Sequence, residues 1–131
     1  MKSKSENTLL VAQMLIDKKQ PTQSVHCSYY GVLQLMCYKL ANAIDDPISY
    51  EEQKALTRSK DSHELILDKI KNKIKDHKEG RKFAQDFRDL KAKRKEADYT
   101  ARVFSLDEGL DCKSQAERLV SQLNRFIKTA S

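Results

Sequence analysis

The chain has 131 residues, a formal net charge of +6, and only three glycines and two prolines. This length suits one domain (1–131) that can bury a core without metal or disulfide support, and the sparse turn punctuation favours helices over strands. Three cysteines, Cys27, Cys37 and Cys112, are odd in number and form no CxxC pair. They read as reduced, buried thiols of a cytoplasmic protein rather than as a disulfide framework. The opening Met1 to Glu6 is polar and leads straight into an amphipathic pattern, with no apolar signal core. The charge is unevenly spread: between Lys69 and Lys95 twelve Lys/Arg face four Asp/Glu, so the rest of the chain is slightly acidic. A basic belt of this kind is either a solvated helix face or a surface for a polyanion.

Five helical segments are legible, with a short, weak one between the second and third. The first runs from about Ser5 to Lys19 and stops before Pro21. The second, from about Thr22 to Ala43, carries Val25, Tyr29, Val32, Leu33, Met36, Leu40 and Ala43 on one stripe, with Tyr30, Leu35 and Cys37 beside it. A helix apolar on most sides belongs in the middle of a bundle. Val25 to Ile44 is also the best candidate for a membrane span, but His26, Ser28, Gln34, Lys39 and Asn42 interrupt it, so no membrane partner is expected.

Asp45-Asp46-Pro47 then breaks the chain, and Ser49 with Glu52 matches a capping box ahead of a short helix from Tyr50 to about Thr57. Asp61 or Ser62 should cap the next long segment, whose face carries His63, Ile66, Leu67, Ile70, Ile74 and His77 up to a stop at Gly80. The following segment covers about Arg81 to Val103. Leu106 to Leu110 reads as a loop, and Asp111 as the cap of the last helix, striped with Ala116, Leu119, Val120, Leu123, Phe126 and Ile127. The expected architecture is an antiparallel, up-and-down bundle of four to five helices.

One position breaks this pattern. Phe83, Phe87, Leu90, Arg94, Ala97, Ala101 and Phe104 alternate at steps of three and four, so a guanidinium stands on an apolar stripe. Asp98 lies one turn on, within reach of Arg94. The pair is either a buried structural ion pair or part of a polar site, and the second reading places Arg94 in a solvent-filled cleft. Other polar groups also fall on apolar faces: His26, Ser28 and Tyr29 in the second segment, His63 in the third and Tyr99 in the fourth. The histidines lack metal-ligand spacing, and no Gly-rich phosphate loop is present, so neither a metal nor a nucleotide cofactor is indicated. An arginine, one or two imidazoles and an acid suit RNA phosphodiester cleavage, which needs a base for the 2′-hydroxyl and a cation for the phosphorane charge.

Three short motifs carry a family resemblance. Ser24-Val-His-Cys-Ser-Tyr-Tyr-Gly31 resembles the "S…YYA" segment of the second helix in HEPN-domain proteins. Ser62-His63-Glu64 resembles the Ser/Thr-His pair that opens their third helix. Arg94-Lys-Glu-Ala-Asp98-Tyr99 resembles the R-x-x-A-D-Y signature of one HEPN branch. The resemblance spans about Ser24 to Phe126 and implies a helical bundle that dimerises. It also implies metal-independent endoribonuclease activity in toxin–antitoxin and related stress-response or defence systems, with a cleft at the dimer interface lined by Arg94 from both chains.

The family's R-x4-6-H motif is not met, because Asp98 stands near where its histidine would be. Arg94 carries over as a catalytic match, Asp98 stands beside it, and His63 or His26 would supply the imidazole. Tyr29, Tyr99, Lys91 and Lys95 are the expected binding residues, with RNA, a second copy of the chain and a nucleotidyltransferase-type protein as implied partners. A non-catalytic binding or regulatory HEPN module is the alternative.

Overall fold

The computed structural model describes residues 1–56 and 62–130. Six helices fill them: α1 (Lys2–Asp17), α2 (Pro21–Asn42), α3 (Tyr50–Leu56), α4 (Ser62–Lys73), α5 (His77–Tyr99) and α6 (Leu106–Phe126). They form a helical bundle, with no strand among the described residues beyond an isolated bridge between Ala43 and Thr129. Also among the described residues, no helix is long and apolar enough to cross a membrane.

The bundle is built around α2, as its apolar breadth requires. Val25, Tyr29, Val32, Met36 and Leu40 are fully buried, and α1, α4, α5 and α6 each pack against them or their neighbours. Close approach to α1 depends on Gly31, where a Cβ would stand 2.6 Å from the Leu9 side chain. On the other side Gly109 of α6 sits so near Pro21 that a Cβ would come within 2.8 Å. The chain therefore covers α2 by itself, and the apolar breadth of α2 is not in itself a reason for a second copy.

Paired contacts fix the helix directions. Ser5 Oγ donates to the Gly31 carbonyl while Leu15 lies beside Thr22 and His26, so α1 and α2 run antiparallel. Asp98 meets His26 whereas Phe87 meets Tyr29, so α5 is also antiparallel to α2. The up-and-down order nevertheless fails once. His63 at the start of α4 meets Tyr29, and Lys73 at its end donates to the carbonyls of Asp45 and Asp46 just beyond α2, so α2 and α4 run parallel. The segment containing α3 makes the crossover that such a pair needs, anchored by Gln53, whose amide donates to the Cys37 and Ile48 carbonyls. Ser49 and Glu52 bond reciprocally ahead of α3, as the capping box predicts. Thr57 and Asp61 lie outside the described residues.

Three boundaries differ from the sequence reading. The segment expected to run to Gly80 divides at Lys73, because the Asp76 side chain accepts from the Lys78 and Glu79 amides and starts α5 there. His77 is therefore exposed in the first turn of α5 rather than on the face of α4. Gly80 is not a stop but a close approach, with a Cβ site 3.3 Å from the Lys71 carbonyl oxygen. At the other end α5 stops at Tyr99, so Ala101 is exposed and Phe104 is buried from a loop, its amide donating to Thr22 Oγ1. Finally, Leu106 to Leu110 is helical. Ser105 and Glu108 form a capping box at the start of α6, and Asp111 lies inside that helix rather than capping it.

Candidate functional site

The polar residues singled out from the sequence meet at one end of the bundle, where the N-terminal half of α2, the start of α4 and the C-terminal half of α5 come together. His26, Tyr29 and Tyr30 share a face of α2 by helical spacing. Arg94 and Asp98 share one of α5. His26 Nδ1 lies 2.8 Å from Asp98 Oδ2, across 72 residues of sequence. Tyr29 Oη lies 2.7 Å from His63 Nδ1. Arg94 joins the two pairs: its Nη1 is 3.7 Å from Asp98 Oδ2, and its Cζ is 4.8 Å from the centre of the Tyr29 ring.

Burial grades the site from surface to interior. His26 is half exposed, the Asp98 side chain is 20% accessible, and the Arg94 side chain only 5%. Arg94 therefore does not line a solvent-filled cleft of this chain, contrary to the expectation from sequence. Its guanidinium lies beneath aromatic rings, with Tyr30 at 5.5 Å and Tyr99 at 5.9 Å in addition to Tyr29. Its Nε has no hydrogen-bond partner among the described residues. A buried cation with one donor unmet, 3.7 Å from its carboxylate, is poor construction for a purely structural ion pair. Asp98 adds a second conflict, because a carboxylate in the last turn of a helix opposes the macrodipole. Such disagreements between local preference and fold gather where a sequence is shaped by function.

Electrostatics separate the two histidines. His63 is held below the usual imidazole range, chiefly by burial and then by Arg94, Lys91 and Lys95. The Tyr29 hydroxyl is pushed well above the tyrosine range by burial, which the neighbouring Arg94 only partly offsets. His26 instead faces a carboxylate and lies tilted against Tyr30, with ring centres 4.6 Å apart. A groove of about 290 Å³ opens beside it, lined by Leu15, Thr22, Gln23, Cys27, Ala97 and Asp98 as well as His26. Burial and Asp98 raise the Cys27 thiol, which makes it a poor nucleophile at neutral pH.

The expected binding residues divide. Lys95 is exposed one turn from Lys91 and Tyr99, and Tyr99 is 75% exposed. Lys91 instead has a mostly buried side chain 3.7 Å from Glu64, which also binds Arg88. Tyr30 and Glu64 were not identified as site residues from sequence. Tyr30 could have been found as the second member of the Tyr29-Tyr30 doublet, one turn from His26. Glu64 carries no signal until α4 is laid against α5.

Among the described residues no group of three or more His, Cys, Asp or Glu is placed to hold a metal ion. The arrangement can bind an anion electrostatically, orient an imidazole with a carboxylate and move a proton at the groove. Comparison of the chain with protein-family models, with curated proteins and with solved structures gives no match.

Proposed function

We propose that this chain is an RNA-directed, HEPN-like protein of a stress-response or defence system of the toxin–antitoxin type, acting as a metal-independent endoribonuclease. One observation carries the reading. His26, Tyr29, His63, Arg94 and Asp98, chosen from sequence on chemistry and motif resemblance, form one contact cluster drawn from three helices. The chemistry is an internal transesterification. The ribose 2′-hydroxyl gives its proton to an imidazole, and the 2′-oxygen attacks the adjacent phosphorus. The bond from phosphorus to the 5′-oxygen then breaks, and that oxygen takes a proton from water. The products are a 2′,3′-cyclic phosphate and a 5′-hydroxyl. Exposed cations such as Lys95 would hold the phosphate, with Arg94 adding positive potential from below.

The burial of Arg94 favours a second reading, a non-catalytic module that dimerises and engages RNA or a nucleotidyltransferase-type partner. Total RNA incubated with the protein in EDTA separates the two. Fragments ending in 2′,3′-cyclic phosphate, lost when the cleaved position is 2′-deoxy, support the ribonuclease. Salt-sensitive binding without cleavage supports the module, and neither cleavage nor binding at low salt refutes both.

A further inference from the structure

Both imidazoles neighbour Tyr30, with ring centres 4.6 Å from it for His26 and 5.9 Å for His63. In each the Nδ1 atom is engaged, but by partners of opposite kind. An ionised carboxylate only accepts hydrogen bonds, so at Asp98 the His26 Nδ1–H donates, and in the neutral ring the lone pair is then on Nε2. Tyr29 is fully buried, and its hydroxyl proton has no other acceptor among the described residues, so it donates to His63 Nδ1. His63 therefore carries its hydrogen on Nε2. This pairing puts the two rings in opposite tautomers, and of the two only His26 keeps a ring nitrogen whose lone pair is unused among the described residues.

We infer that His26, contributed by α2, is the proton acceptor of this site, with Asp98 as its positioning residue, and that His63 takes no part in the proton transfer. The inference rests on the RNA-cleaving reading above. His26 is half exposed and borders the groove, so its Nε2 is reachable by a ribose hydroxyl. Nε2 takes the 2′-hydroxyl proton as the 2′-oxygen bonds to phosphorus, and Asp98 steadies the imidazolium that results. Three helices contribute to this setting. Leu15 comes from α1, Cys27 and Tyr30 from α2, and Asp98 from α5, with Arg94 behind the carboxylate. His63 sits in the opposite field, among Arg94, Lys91 and Lys95, where a further positive charge is resisted. The assignment also accounts for an Asp one turn after Arg94. With the imidazole supplied from α2, that position of α5 provides the group that orients it.

Two measurements test this. In protein labelled with 15N-histidine, two-bond proton–nitrogen correlation should show His26 as the Nδ1–H tautomer and His63 as the Nε2–H tautomer. Asp98→Asn should move His26 away from Nδ1–H and leave His63 in place. In an oligoribonucleotide cleavage assay with EDTA, His26→Ala should lose about 100-fold or more of the rate, with part restored by added imidazole. Asp98→Asn should lower kcat more than it raises KM, and Asp98→Glu should recover part of kcat. Any loss in His63→Ala should not respond to imidazole. An Nε2–H tautomer at His26, cleavage that survives in His26→Ala, or imidazole rescue of His63→Ala alone would overturn the assignment while leaving the ribonuclease intact. Wild-type protein that leaves RNA uncut overturns the ribonuclease reading and this assignment together.

Discussion

Replacing Arg94 by alanine probes the most unusual residue of the fold. Three effects compete. Truncating a long side chain that is 5% accessible removes packing against Tyr29, Tyr30 and Tyr99, on the scale of about 2–4 kcal/mol for large-to-small core changes with cation–π contact. Stranding a buried carboxylate costs roughly 3–5 kcal/mol when nothing else satisfies it. Asp98, however, is 20% accessible and keeps His26 at 2.8 Å, so about 1 kcal/mol of that cost remains. Against these, removing a desolvated cation with an unmet Nε returns about 1–2 kcal/mol. The net expectation is a loss of about 2–3 kcal/mol, or roughly 8–12 °C in Tm for a domain of this size.

Arg94→Met keeps most of the packing and removes the unmet donor, so it should cost about 1 kcal/mol or less. Thermal and urea unfolding followed by circular dichroism at pH 7 measure both variants. Arg94→Ala within 1 kcal/mol of wild type, or Arg94→Met less stable than Arg94→Ala, would show that the guanidinium is not held as the structure holds it.

His63 should shape the acid limb of stability. Its folded-state pKa lies below the unfolded value, so the unfolded chain takes up the proton first and stability falls as pH drops below about 6.5. His63→Gln should flatten the curve below that pH and leave the slope above pH 7 unchanged; an identical acid limb would count against a half-buried neutral imidazole. The basic belt divides by exposure. Lys75, Arg81 and Lys95 are exposed, whereas Lys73 donates to two carbonyls and Lys91 approaches Glu64. Neutralising Lys75, Arg81 or Lys95 should reduce the dependence of log affinity for RNA on log salt by about one unit each or less, and a slope that does not change would reduce the belt to a solvated face. The dimer implied by the HEPN resemblance would cover Tyr99 and Val103, which are 75% and 81% exposed at and just beyond the end of α5. Light scattering at micromolar concentration should then give twice the chain mass, and a value of 15.1 kDa would refute the dimer.

The sequence determined what depends on periodicity. The stripe of α2 marked it as the central helix, and Phe83, Phe87, Leu90 and Arg94 were legible as one buried face because helical spacing converts sequence separation directly into direction. Helix ends were less legible. Asp76 and Ser105 cap through local hydrogen bonds that compete with equally plausible neighbours, and Gly80 looks like a stop until Lys71 is placed beside it.

Only the tertiary structure decided how the polar residues combine. Nothing in the sequence pairs His26 with Asp98 rather than with His63, because that choice depends on α5 lying antiparallel to α2 while α4 lies parallel to it. Nor could periodicity say how deep Arg94 would sit. Spacing gives the face a residue occupies, but burial depends on which side chains from other helices, here the Tyr29 and Tyr30 rings of α2, close over it.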